Sequence, residues 1–179
     1  MIRRMCLGKI PGLGDFVSRG VPSAMATDWY DRLSLWMHQG EAQHGADWPS
    51  VFMSACALGF NTIDSAAPGG RGFGLWLGVV LPSVDKVGRL FPWLVLEHHA
   101  APLVACHLPL HLQQCFDTGV AAIRDDWSAQ QLDALFSRST QGDGDQDWAC
   151  RPMTLWTLDQ GQQPRVLRMV DSFGDVAWP

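Results

Sequence analysis

The first residues that could do chemistry follow directly after an apolar run at 5–7. Residues 8–16 read GKIPGLGDF, so a lysine and an aspartate stand among three glycines. Phosphate-binding loops also combine glycines with a lysine, but their glycines precede the Gly-Lys pair and a Ser or Thr follows it. Here that order is reversed, and the Asp15 carboxylate would repel a phosphate. We therefore expect a structural loop, or a loop shaped for a partner.

A second polar group occupies residues 82–89, which read PSVDKVGR and separate two apolar runs. Ser83 could act as a nucleophile, yet no Gly-x-Ser-x-Gly elbow surrounds it and no base can be assigned to it. Two interpretations stay open. The segment is either a polar recognition surface or part of an internal ion pair that ties two loops together. The possible members of that pair are Asp15, Asp85, Lys9 and Arg89.

The histidines do not form a recognisable metal site. His98 and His99 are adjacent, so in a strand they point to opposite faces and cannot share an ion. His107 and His111 have the i, i+4 spacing that suits zinc on a helix, but Pro109 lies between them and no further ligand is recognisable. We therefore predict no metal, no other cofactor and no catalytic residues.

The composition is that of one ordinary globular domain with little charge. The chain has 179 residues, of which 47% are hydrophobic and 17% charged, and its formal net charge is −5. One domain over residues 1–179 is expected, disorder is excluded, and the lack of a basic block argues against nucleic acid as a partner. With few charges available, some large apolar side chains stay exposed, and such patches tend to be contact sites.

Targeting signals, apolar segments and cysteines bear on the compartment of the protein. The basic pair Arg3 and Arg4 is not followed by the apolar core of a signal peptide. No stretch approaches the ~20 apolar residues of a membrane helix, so no membrane insertion is expected. The five cysteines are scattered without a CxxC pair, which is usual for buried reduced thiols. We expect a cytoplasmic protein.

Hydrophobic periodicity predicts the elements that position these residues. Apolar residues at helical spacing indicate a helix that begins near Ser23, as its cap, and ends near Gly40; Ser128 is the expected cap of another helix. The nearly continuous apolar run at 73–81 favours a strand buried on both faces, as in layered α/β folds. The predicted strands are 5–7, 51–60, 73–81, 90–96, 153–158 and 166–170, the other helices 110–124 and 128–137, and the longer loops 65–72 and 141–147.

Two long motifs resemble the signatures of the TagF family, accessory proteins of bacterial type VI secretion. The family's first signature, GKLP-x-x-GDF-(V/I)-x-R-x-(L)P, is similar to residues 8–22. The second, G-V-x-x-PSVD-x-VGR-x-FPL, is similar to residues 78–92, although Trp93 stands where leucine is usual. The Trp-Pro pair at residue 48 also fits the family. Together these motifs cover about the first half of the chain.

The resemblance implies a compact fold with helices flanking a central sheet. Together with the buried runs, it leads us to predict an α/β single domain whose central mixed β-sheet is flanked by helices, as a three-layer α/β/α sandwich. It also implies a non-enzymatic, post-translational repressor of type VI secretion. In the family, control is thought to act through a cytoplasmic scaffold with a forkhead-associated (FHA) domain, or through membrane-complex subunits.

We predict that the two motif loops, 8–19 and 82–92, meet at one end of the sheet. Ion pairs between the two loops would hold them together. The resulting polar network would either form a partner-binding face or stabilise the shape of that face. The expected polar network consists of Lys9, Asp15, Arg19, Asp85 and Arg89. The full set of candidate residues is Gly8, Lys9, Gly14, Asp15, Phe16, Arg19, Pro82, Ser83, Asp85, Gly88 and Arg89. The alternative function is a small-ligand or anion-binding protein, or an enzyme, that uses Lys9, Asp15, Ser83, Asp85 and Arg89.

Overall fold

The fold is given by a computed structural model that describes residues 2–64, 74–100, 103, 107–136, 153–158 and 164–170. Its strands are β1 Ile2–Gly8, β2 Val17–Arg19, β3 Ala57–Asp64, β4 Gly74–Leu81, β5 Trp93–His99, β6 Met153–Leu158 and β7 Arg165–Val170. Its helices are α1 Ser23–His44, α2 Trp48–Ser54, α3 Leu108–Arg124 and α4 Ala129–Leu135, with a 3-10 turn Gly45–Asp47 before α2. The α/β class is confirmed.

The strands form one seven-stranded sheet in the order β2-β1-β5-β4-β3-β6-β7. In place of the mixed sheet that we predicted, every pairing between the described strands is antiparallel. A parallel neighbour needs a crossover of about a dozen or more residues, usually a helix. Here the successive strands β3, β4 and β5 lie side by side, and the chain reverses direction between them. The helical segments α3 and α4 instead lead from β5 to β6, which are not neighbours.

Helices cover both faces of the sheet, which confirms the three-layer arrangement. On one face, Trp29 of α1 and Phe52 of α2 are buried in one apolar cluster. On the opposite face, Leu112 of α3 and Leu132 of α4 are buried in a second cluster. The apolar run of β4 is explained by this arrangement, because both of its faces are covered and its residues are almost all buried.

The prediction of a strand at 51–60 is wrong in its first part. Residues Trp48–Ser54 form α2, and β3 begins only at Ala57. Trp48 and Phe52 are four positions apart and both buried, which is a helical spacing, and a proline stands in the first turn, where its missing N–H costs nothing. A helix of seven residues is too short for its period to be told from a strand pattern.

The two serines predicted as helix caps behave differently. Ser128 caps α4 with a capping box: its hydroxyl accepts from the Gln131 N–H, and the Gln131 side chain accepts from the Ser128 N–H. Ser23 makes no such bond, because it is already inside α1 and the cap position is occupied by Pro22. Only the first of the two predictions is confirmed.

Other boundaries differ by a few residues. The helix α1 continues through Gly40, which is buried within it, and ends before Gly45. The short edge strand β2 was not predicted, since three residues carry too little pattern. The strand β5 begins at Trp93 and not at Leu90, because the preceding residues form a tight loop. The predicted loops 65–72 and 141–147, together with residues 73 and 137, lie outside the described residues.

Candidate functional site

The two motif loops meet, as predicted. The Lys86 N–H donates to the Leu13 carbonyl oxygen at 3.0 Å, and Nη2 of Arg89 donates to the Gly14 carbonyl oxygen at 2.7 Å. Both bonds run from the second loop to the first, so the backbone of one loop is held directly against the other. Segments some seventy residues apart in the chain thus form one local structure.

A single carboxylate lies at the centre of this structure. The Asp85 side chain is fully buried; its Oδ2 accepts from Arg89 Nε at 2.6 Å and lies 3.1 Å from Lys9 Nζ. Its Oδ1 accepts from the Val87 N–H at 3.0 Å and from the Arg89 N–H at 2.9 Å. The internal ion pair left open by the sequence is therefore present, with Asp85 as its carboxylate and with both cations.

The environment keeps this carboxylate charged. Burial alone would raise the pKa of Asp85, but hydrogen bonds from Arg89, Lys9 and the Val87 N–H favour the ionised form and together hold that pKa well below its ordinary value. The positive charges of Lys9 and Arg89 are therefore paired with the Asp85 carboxylate. This pairing weakens the attraction that the two side chains could exert on a free anion.

Two glycines are required by the backbone of the loops. Gly8 has φ of +125°, and a Cβ built on it would lie 2.1 Å from the Pro92 carbonyl oxygen. Gly88 has φ of +84° in the turn that its N–H closes onto the Asp85 carbonyl oxygen at 2.9 Å. Any L side chain is strained in these conformations. Gly14 is different, because no described atom would lie within 4 Å of its Cβ and its contribution is the carbonyl oxygen.

An aromatic cluster seats the motif loops on α1. Phe16 comes from the first loop, Phe91 from the second and Tyr30 from α1. The ring centroids lie 5.3 Å apart for Phe16 and Tyr30, 5.7 Å for Phe16 and Phe91, and 5.5 Å for Tyr30 and Phe91. Edge-to-face and stacked contacts of this kind add to the burial of the rings. The loops are thus fixed against a helix as well as against each other.

The outer side of the motif loops is exposed. Its residues, called the tip surface below, are Gly14, Asp15, Lys86, Val87, Gly88 and Arg89. Val87 is 70% exposed although it is apolar, and the Arg89 side chain is 57% exposed although its Nε is bonded to Asp85. The backbone of this surface is fixed by the buried Asp85 carboxylate. An exposed apolar side chain beside charged groups on such a backbone is suited to contact with a protein surface.

Two of the residues predicted for the polar network are elsewhere. The Asp15 carboxylate accepts from the neighbouring Phe16 N–H at 2.8 Å. Arg19 binds Asp133 of α4 through its Nε. The register of the β1–β2 hairpin explains the second case, because it places Arg19 opposite Cys6, two residues away from the loop end. The structure therefore brings together Lys9, Asp85 and Arg89 and places the Asp15 and Arg19 side chains outside this ion pair.

Pro82 and Ser83 form the base of the second loop. Ser83 is completely buried, and its hydroxyl donates to the Val84 carbonyl oxygen at a long 3.5 Å. Its own carbonyl oxygen accepts from the Phe91 N–H at 3.1 Å and closes the loop. The contribution of Ser83 is therefore to the shape of the loop.

A further polar cluster, which the sequence analysis missed, lies between β5 and α3. It consists of Glu97, His99 and His111, whose ligand-type atoms all lie within 4.8 Å of one another, so these residues could hold an ion. His98 lies on the other face of β5 against Trp76, with ring centroids 4.4 Å apart, as the alternation predicted. The spacing Glu-x-His in a strand was the available signal, because residues i and i+2 share a face.

No helix in the described part of the chain is long and apolar enough to cross a membrane.

Comparisons with known proteins identify the family. The family model described as the TagF N-terminal domain, type VI secretion system-associated, matches residues 5–139, which include both motif loops. Comparison with the curated proteins finds no match. The fold is similar to the crystal structure of PA0076 from Pseudomonas aeruginosa PAO1, with a TM-score of 0.63 and 22% identity over 96% of this chain and 92% of that chain. The chain thus belongs to the TagF family of type VI secretion-associated proteins.

Proposed function

We propose that the chain represses type VI secretion after translation, as a non-enzymatic regulator that binds a protein partner in the cytoplasm. The observation that carries the proposal is the tip surface, an exposed patch on two loops that a buried ion pair holds in one shape. Rigid patches bind with less loss of conformational freedom than mobile loops do. The partner we favour is the cytoplasmic scaffold with an FHA domain; a subunit of the membrane complex is the second candidate.

The polar groups of the motif loops support a contact surface over a catalytic or anion-binding site. The Asp85 carboxylate is buried and accepts four hydrogen bonds, and the Ser83 hydroxyl is buried as well. Lys9, with only 15% of its side chain exposed, is paired to that carboxylate. Groups whose bonding capacity is used within the fold are poor nucleophiles, bases and anion ligands. We infer that the chain is not an enzyme and that the motif loops hold no cofactor.

The test is a binding measurement between the full chain and the purified FHA-domain scaffold. Val87→Asp places a carboxylate in the centre of the tip surface and, since Val87 is 70% exposed, leaves the core untouched. A charge that loses its water in an interface without a partner is unfavourable, so we expect binding to weaken by at least about tenfold, or ~1.4 kcal/mol. In cells, the same variant is expected to raise release of secretion substrates into the medium.

The matched control is Leu35→Asp, which introduces the same charge at an apolar residue of α1 that is 57% exposed. It is expected to bind and repress like the unchanged protein, and circular dichroism should show both variants folded. If Val87→Asp binds the scaffold with unchanged affinity, the tip surface is not the interface. If neither the scaffold nor a membrane-complex subunit binds the unchanged chain, the proposed repression by partner binding is wrong.

A further inference from the structure

The cluster of Glu97, His99 and His111 is separate from the motif loops. Glu97 and His99 project from β5 on the face that α3 covers, and His111 lies in the first turns of α3. Glu97 is 0% exposed and His99 3% exposed, whereas His111 keeps 15% of its side chain exposed. The cluster is therefore buried but reaches solvent along one side.

The three residues converge on one carboxylate oxygen. His99 Nε2 and His111 Nδ1 each lie 2.9 Å from Glu97 Oε2. The two imidazole rings are nearly perpendicular, at 83°, with centroids 4.7 Å apart. Two ring nitrogens thus lie beside one carboxylate oxygen, brought together from two different elements of the fold.

We propose that Glu97, His99 and His111 form a binding site for a divalent transition-metal ion of the zinc type. Two histidines and one glutamate are a ligand set that zinc takes in proteins, with bonds of about 2.0–2.2 Å. Such bonds at tetrahedral angles separate the ligand atoms by about 3.3 Å. The two nitrogen–oxygen separations are 2.9 Å and all three atoms lie within 4.8 Å of one another, so changes in separation of about 1.5 Å or less reach that geometry.

The remaining groups around the cluster are compatible with an ion. Arg4 Nε donates to Glu97 Oε1 at 2.8 Å, which fixes the carboxylate and leaves Oε2 for the ion. The Arg4 side chain is 39% exposed, so solvent screens its repulsion of a cation. Metal binding requires the tautomer in which each ring carries its proton on the other nitrogen, so that His99 Nε2 and His111 Nδ1 present their lone pairs to the ion.

The experiment is titration of the full chain, stripped with a chelator, with Zn²⁺ alone and with Co²⁺ as a spectroscopic probe. It uses a Cys56→Ser background, because Cys56 is exposed and could bind metal by itself. We expect one equivalent of Zn²⁺ to bind and to raise the unfolding temperature, since the ion links β5 to α3 only in the folded state. Co²⁺ should show ligand-field bands without the intense charge-transfer bands of a thiolate.

His111→Ala removes one ligand at the partly exposed edge of the cluster. It is expected to weaken Zn²⁺ binding by more than the roughly 10–100-fold that loss of a merely supporting partner costs. The matched control is His38→Ala, which deletes another histidine beside a carboxylate, 3.8 Å from Glu41, but with 78% of its side chain exposed. That control should bind Zn²⁺ unchanged.

Three results would overturn the proposal. The first is failure of the chain to take up Zn²⁺, and the second is a Co²⁺ spectrum dominated by thiolate charge transfer; both are measured without any variant of the cluster. The third is a folded His111→Ala protein that binds Zn²⁺ as tightly as the chain with His111 in place. In each case the cluster is a metal-free hydrogen-bonded network between β5 and α3.

Discussion

At the scale of residues, the motif loops depend on Asp85. Its two oxygens accept from the backbone of its own turn and from two cations, one of which comes from the other loop. A carboxylate of this kind stabilises the fold only while it is ionised. Because the folded state holds the pKa of Asp85 well below its ordinary value, the unfolded state takes up the proton first as the pH falls.

Asp85→Asn is therefore expected to lower stability at neutral pH, and the difference from the unchanged chain should shrink in acid. The contribution of Asp85 is fully present above its unfolded pKa, about 3.9, and is lost as the pH falls through the lower folded pKa. Urea unfolding at pH 7 and at pH 3 measures this. Asp15→Asn is the control, because Asp15 is exposed and, among the described residues, bonds only its neighbour's N–H, so a change within ~0.5 kcal/mol is expected. If the stability difference between Asp85→Asn and the unchanged chain grows in acid, the ionised Asp85 carboxylate does not stabilise the fold in this way.

At the scale of elements, the two serines show that a cap depends on position as much as on residue type. Ser128 and Ser23 both stand at a helix start in the sequence, but only Ser128 stands before the first helical residue. In that extended position its hydroxyl reaches the free N–H of Gln131. At the start of α1, the residue with extended backbone is Pro22, which has no side-chain oxygen.

Ser128→Ala is expected to lower the free energy of unfolding by ~1 kcal/mol, since it removes the hydroxyl that accepts from the Gln131 N–H, while the backbone half of the capping box is kept. Ser23→Ala, the matched control at the other helix, is expected to change it by less than ~0.5 kcal/mol. Both free energies are measured by denaturant unfolding, and the dependence of the free energy on denaturant concentration (the m-value) should be the same in all proteins. Equal losses in the two variants would show that the loss at position 128 does not come from the cap.

At the scale of the whole molecule, one sheet separates two apolar clusters that share its strands. The cluster under α1 and α2 and the cluster under α3 and α4 use alternate residues of β4 and β5. Val79 and Val80, for example, are neighbours in β4 and belong to opposite clusters. Loss of packing on one face therefore weakens the strands on which the other face depends, and the described residues are expected to unfold together.

Leu33→Ala on one face and Leu112→Ala on the other are each expected to cost ~2–5 kcal/mol, because both side chains are 0% exposed. Both variants should retain a single unfolding transition with the same midpoint by tryptophan fluorescence and by circular dichroism. Leu35→Ala, at an exposed leucine of α1, is the control and should stay within ~0.5 kcal/mol. Two separate transitions in either core variant would mean that the layers fold independently and would contradict one domain.

Much of the candidate site could be derived from the sequence because its signals are local. Glycines at 8 and 88 mark positive φ, and charged residues between apolar runs mark loops at strand ends. The family motifs then identified which two loops belong together. The sequence left open which carboxylate pairs with which cation, since Asp15 and Asp85 are equivalent by type. Burial distinguishes them, because the structure places Asp85 in the interior and Asp15 on the surface.

The sequence by itself determined the order of most elements, the apolar faces of the helices and the bends of the motif loops, because each of these depends on residues within one or two turns of one another. Only the tertiary structure decided the antiparallel order of the sheet, the bond from Arg89 to Gly14 across 75 positions and the approach of Arg4 to Glu97 across 93. Such contacts depend on strand register and on which faces the helices cover. The hydrophobic periodicity of the sequence specifies neither the strand register nor the face of the sheet that each helix covers.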